Sequence, residues 1–579
     1  MAANKRKRSR SATKQQTANE KGNSFQRSET SDDRKQPRSK RGRADGESYG
    51  RTASPRGGAD SGRKLSSLND LSWYTHYPEL VVGTARVPFP NRPGRRVPVG
   101  SISQVGTDTQ VTAYSATVSI PGVMALDWVP SVGFCDSVTD PASVVGKEMY
   151  SRVRRAFSSQ LDADPPDYVI YLMAFNSVFS YLGKLKRIYR LLDAYSPNNY
   201  AMPDALLYSQ GLTTADIQYL RTHKADFFTA INQLIYLSRK FVVPNVMDIF
   251  SRHYWMNDNV YTDDATINSQ FYIFNQVGFY KFGLSSGSVK HGMLKLVRDP
   301  LDAPAAGDRN TVDLLYNFGS DLISAIAESD DGYTISGYLM RAYEGASSFY
   351  VDNLSMDEEF KPVFVPEVLM QIENSAGLFT ESTSWWTALG TSLIIDQNPG
   401  TNSIIHTPFL TAPEGFMADL DMPLSIRSDM PSEGDVIIAT RLKPCLVEQE
   451  LSGYQIRCGT EIPLAWNLWY PTGSQVGTHV GWATTHVPQY TSVNVHGINS
   501  NPEGIYMQRL IGLLMKSQFD WCPISYVLVD NSASSAEEIN ATSAFMPAGD
   551  IHNFTTLTDE VLSKIHQVCV YSELNAFDA

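Results

Sequence analysis

The feature that most constrains the fold of this chain is an abrupt change in composition after Lys64. The first 64 residues contain no Leu, Ile, Val or Trp, and their only aromatic residues are Phe25 and Tyr49. So little apolar surface cannot offset the roughly 1–2 kcal/mol per residue of backbone entropy that ordering a chain costs. We therefore predict a basic arm, residues 1–64, that is disordered when free, followed by a folded body from Leu65 onward.

Charge separates the same two regions. Residues 1–64 carry 18 Lys and Arg against seven Asp and Glu, a balance of +11, which leaves 31 basic and 54 acidic residues in the body, a balance of −23. A flexible cationic arm can meet phosphates without fixed geometry, and it has almost no aromatic side chains for base stacking. We therefore predict nucleic-acid binding without sequence preference. The predicted contacts are the 18 cationic residues of the arm: Lys5, Arg6, Lys7, Arg8, Arg10, Lys14, Lys21, Arg27, Arg34, Lys35, Arg38, Lys40, Arg41, Arg43, Arg51, Arg56, Arg63 and Lys64.

Other uses of a basic arm stay open on these grounds. Residues 5–10 read KRKRSR, which is adequate for a nuclear localisation signal, and a solvated tail needs no partner. A membrane-surface role is disfavoured because the arm has almost no side chain that would insert into lipid. The acidic body should repel nucleic acid, so we expect contact with it to be confined to the arm.

Cysteine content and hydropathy exclude two further classes of protein. The five cysteines are scattered and include no C-x-x-C pair, which favours a reducing environment over a disulfide framework or a zinc module. The most apolar window, residues 168–183, is shorter than the ~20 residues that a membrane span needs. We interpret it as a buried core helix; a segment that contacts membranes after a conformational change is the less favoured alternative.

Local signals predict a helix-rich front half, a loop-and-strand middle and a mixed C-terminal part. Asp164 followed by two prolines predicts the start of a long helix, and Thr213 with Asp216 forms the capping box of a second helical pattern that Pro244 ends. Loops and short strands are expected between Pro362 and Pro431. Further helices are predicted at 312–328, 334–344, 503–516 and 559–571, and strands at 111–120, 271–284, 435–442 and 526–530.

Motifs for catalysis or metal binding are weak. Residues 283–287, GLSSG, match the G-x-S-x-G pattern around Ser285, but the following residues are a poor helix start, so a turn between two strands is the favoured interpretation. The spacing of His479, His486 and His496 matches no zinc module. We therefore predict no catalytic residue, no metal site and no cofactor, and a protein that is not an enzyme.

Two stretches of the body carry a resemblance to a known family. Residues 69–80, NDLSWYTHYPEL, and residues 121–133, PGVMALDWVPSVG, are similar to the capsid proteins of picobirnaviruses, which have a segmented double-stranded RNA genome. The resemblance implies a mixed, mainly α fold in which a smaller, loop- and β-rich protruding domain is inserted into a helix-rich shell domain. The expected domains are the disordered arm, the first part of the shell, the protruding domain, and a C-terminal part that returns to the shell and the dimer interface: 1–64, 65–300, 301–440 and 441–579.

The same resemblance implies a function. The protein would be a coat protein that self-assembles through intertwined dimers into a small icosahedral shell and packages double-stranded RNA by its arm. Its implied partners are itself, viral double-stranded RNA, the viral polymerase and a host membrane that the particle helps to cross. The implied locations are the virion and the cytoplasm of the infected cell. The alternative is a cellular nuclear RNA-binding protein with a basic tail.

Overall fold

A 28-residue helix, Pro165–Leu192, lies at the centre of the fold in a computed structural model of the chain. The helix begins as its sequence predicts: Asp164 precedes two prolines, and the Asp164 backbone N–H donates a 2.8 Å hydrogen bond to the Asp167 carboxylate. Every residue of the helix except Asp167 and Arg190 is buried, so the predicted core helix is confirmed. No helix in the described part of the chain is both long and apolar enough to cross a membrane.

The structure describes most of the body and none of the arm. The described residues are 73–105, 111–194, 202–264, 266, 268–286, 288, 290–302, 309–379, 385–411, 422–449, 453–476, 479–487, 490–494, 504–530 and 544–574. They belong to one compact unit within Gly58–Ala579. Helices account for 42% of the structure and strands for 25%. This content confirms the prediction of a mixed fold with more helix than strand.

The helices of the described part are numbered in chain order. They are α1 Pro78–Ala85, α2 Pro141–Ala156, α3 Pro165–Leu192, α4 Met202–Tyr208, α5 Thr214–Thr222, α6 Lys224–Ser238, α7 Asp248–Asp258, α8 Thr311–Ala327, α9 Asp330–Ala342, α10 Pro366–Asn374, α11 Trp385–Leu389, α12 Glu433–Thr440, α13 Gly504–Lys516 and α14 Asp559–Glu573. The central helix α3 packs against α2, α6, α7, α8 and the strand Gly278–Leu284, so most of the helical front half surrounds it.

The strands are numbered in the same way. They are β1 Arg96–Val105, β2 Val111–Ser119, β3 Val123–Pro130, β4 Tyr261–Thr262, β5 Phe271–Gln276, β6 Gly278–Leu284, β7 Gly292–Arg298, β8 Ile394–Asn398, β9 Ser403–Ile405, β10 Phe409–Thr411, β11 Met422–Ile426, β12 Cys445–Gln449, β13 Gly453–Arg457, β14 Glu461–Val476, β15 His479–Val487, β16 Tyr490–Asn494, β17 Ser525–Asp530, β18 Ala544–Ala548 and β19 Asn553–Leu557. Their largest sheet has the order β15-β14-β3-β5-β4, with β3 and β5 parallel and the other neighbours antiparallel.

Strand β3 separates two hydrophobic cores. All eight of its residues are buried, and alternate side chains point to opposite faces of the sheet, as strand geometry requires. Val123, Ala125 and Val129 join the large core around α3, whereas Leu126 and Trp128 join a second core. A strand buried on both faces is a near-continuous apolar run, which is how residues 123–130 read in the sequence.

Helices α8 and α9 lie between residues 301 and 440, the range expected for a protruding domain. Leu315, Leu322 and Ile335 from these helices are buried in the same core as α3. Gly319 of α8 permits a close approach to α6, since a Cβ atom there would lie 2.7 Å from Leu234. The predicted domain boundaries are not decided by these contacts and stay predictions.

Most predicted elements are present, with differences that have local causes. The predicted strand at 435–442 is wrong: the residues form helix α12, because the Ser432 hydroxyl accepts from the Asp435 backbone N–H and the Asp435 carboxylate accepts from the Ser432 backbone N–H. That capping box outweighs the β-branched residues that follow it. The second helical pattern divides at His223 into α5 and α6, where the Thr222 hydroxyl donates to the Tyr219 carbonyl. The predicted strand 271–284 divides at Val277 into β5 and β6, which belong to different sheets.

Candidate assembly surface

Residues 73–92, here called the apolar segment, present a row of large apolar side chains to solvent. Helix α1 within this segment has no buried residue, and Phe89 is 86% exposed. The exposed apolar side chains of the segment are Trp73, Tyr74, Tyr77, Leu80, Val82, Val87 and Phe89. Large apolar side chains grouped on the surface of a soluble protein mark interaction sites. The segment therefore has the character of a surface that another molecule covers.

The chain joins the body again directly after the apolar segment. The Gly94 backbone N–H donates to the Ile120 carbonyl and the Ile120 N–H donates to the Arg95 carbonyl, both at 3.0 Å. Gly94 has a φ of +75°, and a Cβ atom there would lie 2.5 Å from the Met202 sulfur, so a glycine is required. These contacts fix where the segment leaves the body.

No pattern in the sequence predicts a role for the individual side chains of the apolar segment. Residues 69–80 carry a resemblance to a family, but the segment shows neither helical nor strand periodicity over a long window. The available signal is the density of aromatic residues beside Pro78, Pro88 and Pro90, which suits an extended contact surface better than a core. Burial decides between the two uses, and only the fold reveals burial.

The predicted RNA-binding residues cannot be placed. All 18 cationic residues from Lys5 to Lys64 lie outside the described residues. Their role stays a prediction that depends on the charge contrast between arm and body.

A buried ion-pair network fixes the C-terminal helix α14 to the body. Glu461 has no exposed surface, pairs with Arg252, and accepts a 2.8 Å hydrogen bond from Arg441. Arg441 also donates to Glu573 of α14 at 2.5 Å. Burial alone would raise the pKa of Glu461, but the two arginines hold it well below its ordinary value. Glu461 is therefore charged at neutral pH, and the three-way pairing orients α14.

Asp127 of β3 is a buried carboxylate whose pKa is shifted in the opposite direction from that of Glu461. Its oxygens accept 2.7 Å hydrogen bonds from the side-chain amides of Asn275 and Asn467. Burial, with a smaller contribution from Asp302, raises the pKa of Asp127 to about 7. The strand that divides the two cores thus contains a group that titrates near neutrality.

Lys443 is a second buried group whose pKa is shifted. Lys443 is 3% exposed. Burial lowers the pKa of Lys443 to about 7. Burying a cation costs stability, so the site is a local weakness of the body.

The histidines and cysteines considered as metal ligands have surroundings that do not resemble a metal site. His479 lies in β15, the His486 ring bonds the Asn467 side chain, and His496 lies outside the described residues. Among the residues that the structure describes, no group of three His, Cys, Asp or Glu side chains could hold a metal ion. The five cysteines are free and buried, and burial raises the pKa of Cys135 to about 11.

Ser285 lies in a turn between two strands, as predicted. Strand β6 ends at Leu284 and β7 begins at Gly292, so the strand-to-helix elbow of a hydrolase is absent from this hairpin. The structure nevertheless places His291 and Asp396 in line with the Ser285 hydroxyl. The sequence did not indicate this cluster, because Asp396 is 105 residues from His291 along the chain.

Known proteins with a similar sequence or a similar structure are capsid proteins. The model of a protein family described as picobirnavirus capsid protein matches residues 73–451. A capsid protein precursor from a human picobirnavirus (strain Human/Thailand/Hy005102/-) is 27% identical over 549 residues, covering 88% of this chain and 92% of the relative. A crystal structure of the picobirnavirus capsid matches with a TM-score of 0.73 and 21% identity, covering 88% of this chain and 99% of that chain.

These matches define the class as a viral coat protein, a structural component of the virion that associates with copies of itself in a shell. The chain belongs to the picobirnavirus capsid protein family, because the family model spans more than half of its length. Family membership confirms the resemblance seen at residues 69–80 and 121–133. It also favours a coat protein over a cellular nuclear RNA-binding protein.

Proposed function

We propose that this capsid protein forms dimers through its apolar segment and that the dimers build a small icosahedral shell. The observation that supports this proposal is the outward-facing apolar surface of residues 73–92, on which Trp73, Tyr77 and Phe89 are all more than half exposed. Burying apolar surface is favourable by roughly 25 cal/mol per Å². A second copy that covers the segment, while its own segment is covered in return, makes a two-fold symmetric contact.

The test of assembly introduces charge into the segment. Full-length chain expressed alone should give closed particles of uniform size in electron micrographs. A variant with Tyr77→Glu, Leu80→Glu and Phe89→Glu should give monomers in size-exclusion chromatography and no particles, because each carboxylate opposes burial.

A matched control keeps the number of added charges constant. Met340→Glu, Tyr350→Glu and Met356→Glu alter side chains that are exposed to a similar extent elsewhere on the body, and this variant should still assemble. Closed particles from the variant of the apolar segment would rule out the proposed interface.

We also propose that the basic arm packages double-stranded RNA without sequence preference. The support is the charge contrast, +11 on residues 1–64 against −23 on the body. Neutralising about ten phosphates makes the affinity fall by roughly five decades between 50 and 200 mM salt, through counterion release. Such a salt dependence should be measurable with an RNA duplex of any sequence.

Removing the charge tests packaging separately from assembly. Particles that lack residues 1–64 should form but contain far less RNA, as measured by the ratio of absorbance at 260 and 280 nm. A second variant, in which all 18 Lys and Arg of the arm become Gln, keeps the length of the arm and should lose RNA equally. Unchanged RNA content in both variants would exclude the arm as the packaging element.

The proposal extends to the virus cycle. The particle takes part in the crossing of a host membrane, the viral polymerase accompanies the RNA in the virion, and the chain accumulates in the cytoplasm of the infected cell before assembly. Family membership supports these roles. Purified particles should release dye from liposomes as the pH is lowered from 7 to 5, and absence of leakage at both pH values would contradict the membrane role.

A further inference from the structure

A basic stretch interrupts the otherwise acidic body. Residues 80–126 contain four arginines and one acidic residue, Asp108, so the stretch carries +3. The other residues of the body, 65–79 and 127–579, contain 27 Lys and Arg against 53 Asp and Glu, a balance of −26. The four arginines lie within 11 consecutive residues that include no acidic residue: Arg86, Arg92, Arg95 and Arg96.

Neighbouring strands extend the region that has no acidic side chains. Residues 462–502, which include β15 and β16, contain no Asp or Glu. The Ser119 hydroxyl of β2 donates to the Pro471 carbonyl of β14 at 2.9 Å, and the Gly122 backbone N–H donates to the Trp469 carbonyl at 3.0 Å. These bonds place the basic stretch beside strands that add no negative charge.

Three of the arginine side chains are accessible from solution. Arg86 and Arg96 are exposed, and Arg92 is half-buried. Arg96 Nη2 donates to the Thr117 hydroxyl at 2.6 Å, and Arg92 Nη1 donates to the Asn91 carbonyl at 2.9 Å. Both acceptors are uncharged, so these bonds orient the two guanidinium groups without compensating their charge.

The negative charge of the whole body does not decide what binds at this stretch. Charges separated by more than a Debye length, about 10 Å at 0.1 M salt, are largely screened from one another. A ligand there senses mainly the arginines, whereas the expectation that RNA contacts are confined to the arm treats the charge of the body as uniform. Guanidinium groups form paired hydrogen bonds with phosphate oxygens, so arginine suits a nucleic-acid backbone.

We propose that Arg86, Arg92 and Arg96, here called the basic surface, bind the phosphate backbone of double-stranded RNA where the arm joins the body. The inference rests on the proposed packaging of RNA and adds a contact on the body itself. Lys64 precedes Trp73 by nine residues, and nine extended residues span at most about 32 Å. RNA held by the arm is therefore kept at a high effective concentration beside the basic surface.

The experiment removes the contribution of the arm without shortening the chain. In an arm-neutral chain, all 18 Lys and Arg of residues 1–64 become Gln, and the affinity that remains belongs to the body. Fluorescence anisotropy of the unassembled chain with an RNA duplex of arbitrary sequence should still show binding. Three phosphate contacts make this affinity fall roughly 80-fold between about 20 and 100 mM salt.

Substitution of the basic surface should abolish the remaining affinity. Arg86→Gln, Arg92→Gln and Arg96→Gln in the arm-neutral chain remove the three cations. Arg86→Lys, Arg92→Lys and Arg96→Lys keep the charges and should retain most of the salt dependence, and equal thermal unfolding of the two variants shows that both are folded.

A matched control changes the net charge by the same amount elsewhere. Arg154→Gln, Arg155→Gln and Arg341→Gln alter exposed arginines of helices α2 and α9 and should change the affinity by less than about twofold, because distant charges are screened. An equal loss in this control would overturn the proposal, since net charge rather than the basic surface would then control binding.

Two further outcomes separate this inference from the role of the arm. If the arm-neutral chain binds no RNA while the wild-type chain does, the arm binds alone and the basic surface is excluded. If the glutamine variant of the basic surface keeps its RNA affinity but no longer dimerises, the three arginines contact the acidic body of a second copy, and the proposal is overturned.

Discussion

The apolar segment and strand β3 are two stretches of one chain that differ in solvent exposure. Residues 73–92 expose nearly every large side chain, whereas all eight residues of β3 are buried on both faces of a sheet. Nine of the 20 residues in the apolar segment and six of the eight in β3 are apolar, so the presence of large apolar side chains alone does not determine whether a segment is buried. Strand β3 pairs with β14 and β5 of its own chain, whereas helix α1 of the apolar segment has no buried residue among those the structure describes.

The largest expected effect tests the buried side of this contrast. Trp128→Ala in β3 removes a side chain with no exposed surface from the second core. We expect a loss of about 3–5 kcal/mol in the free energy of unfolding, because a cavity replaces the indole. Urea denaturation of the unassembled chain measures this, and a change below about 1 kcal/mol would mean that β3 is less well packed than the structure indicates.

The next effect concerns the charge within β3. The folded pKa of Asp127 is about 7 and its ordinary value is 3.8, so the stabilisation it provides is fully present below about pH 4 and is lost as the pH rises through 7. Asp127→Asn should therefore reduce the difference in unfolding free energy between pH 5 and pH 8 by roughly 2–3 kcal/mol. Asp357→Asn, which makes the same substitution at an exposed position, is the matched control.

A smaller effect of opposite sign is expected at Lys443. Its folded pKa of about 7 lies below the ordinary 10.5, so the folded state loses stability as the pH falls from 10.5 toward 7. Lys443→Met should raise the free energy of unfolding by about 1–2 kcal/mol at pH 7, since it removes the cost of burying an ammonium. The exposed Lys361→Met should change the free energy of unfolding by less than about 0.5 kcal/mol; equal effects would show that burial of Lys443 costs little.

The smallest effect tests the exposed side of the comparison. Phe89→Ala should change the unfolding free energy of the isolated monomer by less than about 0.5 kcal/mol, as expected for a side chain that contacts little of its own body. The same substitution should weaken dimerisation measured by analytical ultracentrifugation. A loss of more than about 1 kcal/mol in the monomer would place Phe89 against its own chain and remove the contrast with β3.

Signals close together in the sequence predicted structure well, and distant contacts did not follow from it. Asp164 and the prolines after it located α3 because the start of a helix is a local property. The capping box at Ser432 was equally local, but a β-branched run obscured it. The exposure of Phe89, the pairing of Glu461 with Arg441 and Arg252, and the line from Ser285 to Asp396 depend on packing that no window of the sequence contains.

The central sheet also sets an order of events during synthesis. Asp127 of β3 bonds Asn467 of β14, a residue 340 positions later in the chain. The two cores on either side of β3 therefore cannot close until the ribosome has made β14, and pairings so distant in sequence form slowly. Residues 1–64 leave the ribosome before either strand. If the arm binds RNA as proposed, we expect RNA to reach the nascent arm before the body has folded.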